Sequence, residues 1–426
     1  MKRLIFLIMF LSMKGIAFAQ ETPKIDTGDT AWMIVATALV MLMTLPGLAL
    51  FYGGLSKRKD SLNTMAMSFI AFSVVSLLWV IYGYTIAFGE DILGIIGSTS
   101  KFMLKGIGIK SLSGTIPEFI FITYQLTFAA ITVALVSGAL IERIKFSAWI
   151  LFCILWMTFS YLPVAHWVWG GGFIAKLGAL DFAGGTVVHI NAGIAALVGA
   201  IILGKRKDAS LIPHNLTMVL TGAGLLWFGW FGFNAGSALS ASGLAGAAFI
   251  NTNTATAMAS LSWMTAEWLY SKRPTLLGLA SGAVAGLVAI TPAAGFVNIA
   301  GAIMIGLIAG VLAFVSVAKI KPLLGYDDTL DAFGIHGVAG TAGALLTGIF
   351  ADPQINEAGK GLLYGNPGQL LIQCLAVLIT ITYVAVVTFL IFLIIKLMTG
   401  IRVQRNDELI GLDESQHGEK AYNLHI

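Results

Sequence analysis

Eleven largely apolar stretches run through this chain, each near the length of about 20 residues that crosses a bilayer as a helix. They fall at 32–51, 62–88, 118–141, 147–164, 186–203, 216–239, 246–270, 276–291, 296–318, 332–351 and 369–398. Hydrocarbon offers no partner to backbone N–H and C=O groups, so a chain inside it must pair them within helices or closed barrels. The pattern therefore predicts an all-α membrane protein. Composition agrees, because 58% of residues are hydrophobic and 11% charged, with a mean hydropathy of +0.89. A soluble domain carries about 25% charged residues, so a 426-residue globule could not be covered with these. The net charge of +4 is scattered. Without a basic stripe and interleaved aromatics, nucleic acid is not an expected partner. Cys153 and Cys374 each lie in an apolar run and read as small core residues. No disulfide, metal or cofactor is expected.

The N-terminus reads separately. Lys2 and Arg3 precede an apolar run from Leu4 to about Phe18, and Ala17-Phe18-Ala19 forms an A-x-A site. Residues 1–19 are thus expected to be a cleaved secretory signal peptide, with an uncleaved extra helix as the alternative. Cleavage would start the chain outside the cytoplasm. Lys and Arg should then gather in alternate, cytoplasmic connections. They do so at Lys57-Arg58-Lys59, Arg143 with Lys145, Lys205-Arg206-Lys207, Lys272-Arg273, and Lys319 with Lys321. The departure is Lys101, Lys105 and Lys110, in a long connection on the opposite side. Eleven spans from an outside start put residues 400–426 in the cytoplasm.

A repeat lies within this pattern. His189-Ile190-Asn191-Ala192-Gly193-Ile194-Ala195 and His336-Gly337-Val338-Ala339-Gly340-Thr341-Ala342 both read H-x-x-A-G-x-A, with Asp181 and Asp331 upstream. They fall in the fifth and tenth spans, at the close of two five-helix sets. An odd number of helices per set forces the second copy to run inverted, a plan whose functional site lies between the halves. The small residues read as close helix packing, which leaves the histidines unexplained.

Of six histidines, His189 and His336 alone sit inside spans. Ionisable groups at that depth face the bundle interior or a cavity. Two neutral imidazoles, each donor at one nitrogen and acceptor at the other, suit a narrow path for a small neutral or transiently neutral solute. A cation channel would use rings of carbonyls or carboxylates, and a zinc site would need three or four ligands. Asp181 reads as a helix cap or buried acceptor rather than a solute contact. Trp169, before Gly170-Gly171-Gly172, reads equally as an interfacial anchor or as an aromatic face for a cation at a pore mouth.

These residues sit in stretches that resemble the ammonium transporter (Amt/Mep/Rh) family, bacterial Amt branch, over nearly the whole chain after the leader. The matching stretches include GALIERIKFSAW from Gly138, HWVWGGG from His166, DFAGGTVVHINAG from Asp181, GWFGFNAGS from Gly229, DAFGIHGVAG from Asp331 and GLDESQHGEKAY from Gly411. The resemblance implies eleven helices in two inverted five-helix repeats (about 31–204 and 215–351) plus a final helix (369–398), with a pore in each protomer of a homotrimer. The transmembrane domain would span 20–399. It implies an outer ammonium site at Phe128, Trp169 and Ser237, a gate of Phe128 and Phe233, and pore residues His189, His336 and Trp230. Asp181 would be structural. Tyr124 stands where another aromatic is expected, and its hydroxyl is expected to alter the vestibule.

Also implied are a bacterial inner-membrane location and a cytoplasmic tail, 400–426, that docks a PII-type signalling protein. Ammonium would shed its proton at the gate, and ammonia would cross past the histidines. The protein is not expected to be an enzyme. Two alternatives stand beside transport of ammonium: a sensor that acts by binding and partner signalling, against which the short tail argues, and a channel for another small gas or an amine such as methylammonium.

Overall fold

The computed structural model describes residues 24–210 and 212–422; the expected leader, 1–19, lies outside them. Long helical segments follow in the expected order: α1 (Thr27–Leu55), α2 (Arg58–Phe88), α3 (Glu118–Ala139), α4 (Phe146–Lys176), α5 (Gly185–Leu203) and α6 (Leu216–Gly236). Then come α7 (Gly243–Ser271), α8 (Leu276–Ile290), α9 (Ile299–Leu324), α10 (Phe333–Phe350) and α11 (Pro367–Met398). Nine of them, all but α7 and α8, are long and apolar enough to cross a membrane. In α7 a polar run from Asn251 to Thr256 lowers the hydropathy. That run has a structural use. The Asn251 amide donates to Ala294 O (2.9 Å) and Val297 O (2.6 Å), pairing buried carbonyls where the chain turns after α8. α8 ends at Ile290, within one residue of the expected 291, and past this turn α9 starts at Ile299 rather than at the expected 296. α4 likewise outruns its expected end at 164, continuing to Val168 before a break at Trp169–Gly172.

α1–α5 and α6–α10 form two sets, and the odd number of crossings inverts the second. α5 and α10 are the matched closing helices, and they cross at the centre of the protein. Each opens with a widened i→i+5 turn, Gly185–Ile190 and Phe333–Val338, that carries its histidine. Such wide turns concentrate at functional positions. The crossing is close enough to need glycine on both helices. A Cβ on Gly193 would collide with the backbone of Gly337, and one on Gly340 would lie 2.9 Å from the His189 Cβ.

The two ends of the bundle differ. At one end, residues 89–117 form two short antiparallel hairpins, β1 (Asp91–Ile92) with β2 (Ile96–Gly97) and β3 (Leu112–Ser113) with β4 (Ile116–Pro117). Here Lys101, one of the lysines that breaks the charge alternation, pairs with Glu118 at 2.6 Å, and Glu118 also accepts from Tyr84 Oη.

Three of the basic connections meet the tail at the opposite end: Lys59 Nζ donates to Glu408 O, Lys145 N to Ile401 O, and Lys207 N to the Glu408 carboxylate. Arg206, almost fully buried, bridges Glu142 and Asp327 at 2.8 Å each. Burial alone would raise the Asp327 carboxyl, but the Arg206 guanidinium holds it at about 2. Two short tail helices, α12 (Arg405–Ile410) and α13 (Leu412–His417), lie over this layer. The Asp413 carboxylate accepts from Leu62 N (3.1 Å) and Asn63 N (2.8 Å), while Leu412 N donates to Asp60.

Gly193→Val should force α5 from α10 and lower stability by roughly 1–3 kcal/mol, the usual cost of overpacking. A thermal melt of the purified protein in detergent checks this; an unchanged midpoint would mean that the helices can separate without cost.

Candidate functional site

Asp181 builds the site. Its carboxylate accepts from four successive backbone amides: Gly184 (2.7 Å), Gly185 (2.6 Å), Thr186 (2.8 Å) and Val187 (3.2 Å). These are among the N–H groups that the first turn of a helix leaves unpaired, so Asp181 fixes the start of α5 eight residues before His189. The expected inverted counterpart, Asp331, does not do this. Asp328, eight residues before His336, accepts from Ala332 N (3.1 Å) and Phe333 N (2.7 Å). Asp331 instead pairs with Lys321. The spacing to each histidine would have separated the two aspartates. The small-residue match alone did not.

The Asp181 backbone positions the next residue of the site. Trp169 Nε1 donates to Asp181 O at 3.0 Å, and the Gln373 amide of α11 clasps Leu180 N (2.7 Å) and Leu180 O (2.8 Å) just upstream. Trp169 sits at the break in α4, where a Cβ on Gly170 would collide with Ala87 O. Its ring meets Phe128 of α3 edge-on, with centroids 5.8 Å apart and planes at 82°. Trp169, Phe128 and Ser237 line one cavity of about 300 Å³, with Gln125 and Phe182 also on its wall. Ser237 follows the last turn of α6, where helix carbonyls leave partial negative charge. Its hydroxyl donates to Phe233 O at 2.9 Å, so its lone pairs stay available.

Tyr124 departs from expectation. It is fully buried and its hydroxyl is turned from the cavity, reaching Gly232 O (2.9 Å), Phe233 O (2.8 Å) and Ser237 Oγ (3.3 Å). It therefore bears on the vestibule only through Ser237 and the end of α6.

Beneath the cavity Phe128 and Phe233 stack with centroids 4.0 Å apart and planes at 17°. His189 lies 6.0 Å beyond Phe233 and 5.3 Å from His336, the two imidazoles near-parallel at 22°. Their Nδ1 atoms are 3.3 Å apart. One Nδ1 must donate and the other accept, so the two Nε2 atoms carry opposite roles, one bare and one protonated. Trp230 stacks on His189 at 5.4 Å and its Nε1 donates to Thr291 Oγ1 at 2.8 Å. A separate cavity of about 80 Å³ is lined by Leu330, Asp331 and Ile335 together with Phe51 and Leu277. The predicted residues are thus brought into one file: aromatic cavity, stacked phenylalanines, paired histidines. Among the described residues no group of three or more His, Cys, Asp or Glu could hold a metal ion.

The sequence pattern that defines the Ammonium Transporter Family matches residues 31–422. This chain belongs to that family. The chain is 61% identical to an ammonium transporter of Aquifex aeolicus over 427 aligned positions, covering 100% of both chains. Its fold superposes on the crystal structure of Candida albicans Mep2 with a TM-score of 0.86 at 36% identity, covering 94% of this chain and 91% of that one. It also superposes on a structure titled Sensor Amt Protein with a TM-score of 0.85 at 31% identity, covering 92% and 98%. As a family member it is a multi-pass membrane protein of the transporter class. Reading the motifs had missed Gln125, Thr291 and Gln373. Gln125 was detectable as the one amide side chain in the third span.

Asp181→Ala should cost about 3 kcal/mol or more, because four buried amides lose a charged acceptor. Asp181→Asn, which keeps one acceptor oxygen, should cost less. Thermal melts of both proteins check the order; equal losses would mean that the charge contributes nothing to the cap.

Proposed function

We propose that this protein takes up ammonium by binding it in the aromatic cavity, releasing one proton to water on the cavity side of the phenylalanine stack and passing ammonia along the paired histidines, with the proton either left outside or carried across by a separate route. The carrying observation is the file itself, with the imidazole contact of 3.3 Å directly behind the 4.0 Å phenylalanine stack. Trp169 and Phe128 offer π faces, which attract cations more as water is excluded. Ser237 offers lone pairs beside a helix C-terminus.

No such support continues past the stack. A bare ion between apolar walls would lose its hydration at a cost of many kcal/mol, whereas ammonia crosses uncharged. The histidine pair presents one donor and one acceptor, matching ammonia's own N–H groups and lone pair without adding fixed charge. Potassium carries no proton to shed, so the same step rejects an ion of similar size. Asp181 acts by holding Trp169 and His189 in place, and Trp230 by bracing the His189 ring.

The cavity end faces outward and the basic connections and tail face the cytoplasm, in the inner membrane of a bacterial cell. A leader at 1–19 and a homotrimer with one pore per protomer belong to the same proposal. Residues 400–426 form the regulatory tail, with a PII-type protein as partner at that face. Methylammonium is a second candidate substrate. A sensing role is the competing possibility, favoured by the likeness to the structure titled Sensor Amt Protein.

Charge movement and lumenal pH change in proteoliposomes after an ammonium jump test this, a current meaning that the proton follows and a pH change without current that ammonia crosses alone. A saturable response should appear in the wild type, and His189→Ala or His336→Ala should lower it or admit potassium while the fold survives. Wild-type transport with potassium still excluded in both variants would remove the histidines from the path. Binding without current or pH change in the wild type would leave the sensor.

A further inference from the structure

We propose that His166 is an imidazolium, with a proton on each ring nitrogen, and that in this form it positions Trp169 and the wall of the aromatic cavity; its effect on transport rests on that cavity being the ammonium site. His166 lies in the last turn of α4, three residues before Trp169, and is fully buried. It does not itself line the cavity.

Both ring nitrogens face acceptors. Nδ1 stands 3.0 Å from Ala87 O, and Nε2 stands 3.0 Å from Asp91 Oδ1. A carbonyl only accepts, and so does an ionised carboxylate. Asp91 is ionised, because Lys176 first and His166 second hold its carboxyl at about 2. A neutral ring has one N–H and would set a lone pair against one of these oxygens. The doubly protonated ring satisfies both. A buried charge needs a partner and hydrogen bonds, and Asp91 supplies both.

The two contacts hold the cavity from two sides. Ala87 precedes Phe88, which lines the cavity at the end of α2. Asp91 opens the β1–β2 hairpin, which is also pinned to the break in α4 by Trp167 Nε1 on Ile95 O (2.8 Å) and Phe173 N on Gly94 O (3.0 Å). The His166 carbonyl accepts from Gly170 N and Gly172 N at 3.0 Å each, closing the break around Trp169. A Cβ on Gly170 would lie 2.6 Å from His166 Nδ1, so this glycine leaves room for the ring. The charged groups at the bridge are Asp91 and Lys176. Glu90, beside Asp91, is exposed, and the Asp181 carboxylate is taken by the amides of α5.

When the ring gives up one proton, one contact becomes lone pair against lone pair, and the wall loosens. Histidine is the side chain whose charge changes nearest neutral pH. The half-saturating ammonium concentration should therefore rise as the outside turns alkaline, by about three- to tenfold, the worth of one cation–π contact. The maximal rate should change little, because the later steps lie past the stack. Asp91→Asn keeps an acceptor oxygen but removes the charge that favours the imidazolium. It should move the rise toward acid pH by about one unit.

Solid-state NMR of the protein in lipid, with nitrogen-labelled histidine, reads the ring directly. Near neutral pH a ring with two N–H groups should be present in the wild type and missing in His166→Gln; if the signal that His166→Gln removes is a neutral ring, the proposal is overturned. Initial rates in proteoliposomes read the consequence, against ammonium concentration and outside pH, in the range where nearly all of the solute is still ammonium. The proteins compared are the wild type, Asp91→Asn and Trp169→Leu. Asp91 is partly exposed, so its variant decides the matter should His166→Gln not fold. A rise in half-saturation that Asp91→Asn moves toward acid pH supports the assignment. A flat wild-type profile, or a rise that Asp91→Asn leaves in place, overturns the positioning role while the aromatic site stands. If Trp169→Leu leaves the half-saturation unchanged at every pH, ammonium does not bind in the aromatic cavity, and the positioning role falls with that reading.

Discussion

Four backbone amides converge on the Asp181 carboxylate, and the arrangement of the site hangs from that contact. The carboxylate fixes the first turn of α5 and so the depth and direction of His189. The carbonyl of the same residue holds the Trp169 indole. One residue therefore sets the distance between the aromatic cavity and the histidine pair. A carboxylate is suited to this because it can take several N–H bonds at once, where a hydroxyl would satisfy one or two. The clasp of Gln373 on Leu180 extends the hold to the last helix. That ties α11, which belongs to neither repeat, to the site.

The second constraint is the closeness of α5 and α10. Glycine at 193 and 340 lets the two backbones approach until each histidine lies against the other helix. In a bilayer, helices gain little from hiding apolar surface from each other, so close van der Waals packing must supply much of the attraction. The same closeness brings the imidazoles into contact. Packing and chemistry here rest on the same small residues. The widened turns that carry both histidines free a register that a regular helix would not have, and they recur at the same place in both halves.

Much of the fold was legible because spanning helices announce themselves by length. The positions of the eleven segments, the pairing of the fifth with the tenth, and the two intramembrane histidines could all be read directly. Errors arose where local polarity had a tertiary use. The late start of α9 follows a turn whose carbonyls Asn251 pairs from 43 and 46 residues away, which no local pattern signals. Lys101, one of the lysines that breaks the charge alternation, pairs with Glu118 at the start of α3, a partner 17 residues away. Asp331 drew attention by proximity, although Asp328 had the matching spacing and makes the matching bonds.

By itself the sequence determined the class, the order of the spans, the inverted duplication and the identity of the central histidines. It could do so because hydrocarbon forces every backbone polar group into a helix and makes each buried ionisable residue conspicuous. Only the tertiary structure decided that Phe128 and Phe233 stack, that Tyr124 turns its hydroxyl onto the end of α6, and that Asp328 rather than Asp331 caps the start of α10. Those are relations between residues on different helices, set by crossing geometry and hydrogen-bond competition, and neither periodicity nor composition carries them.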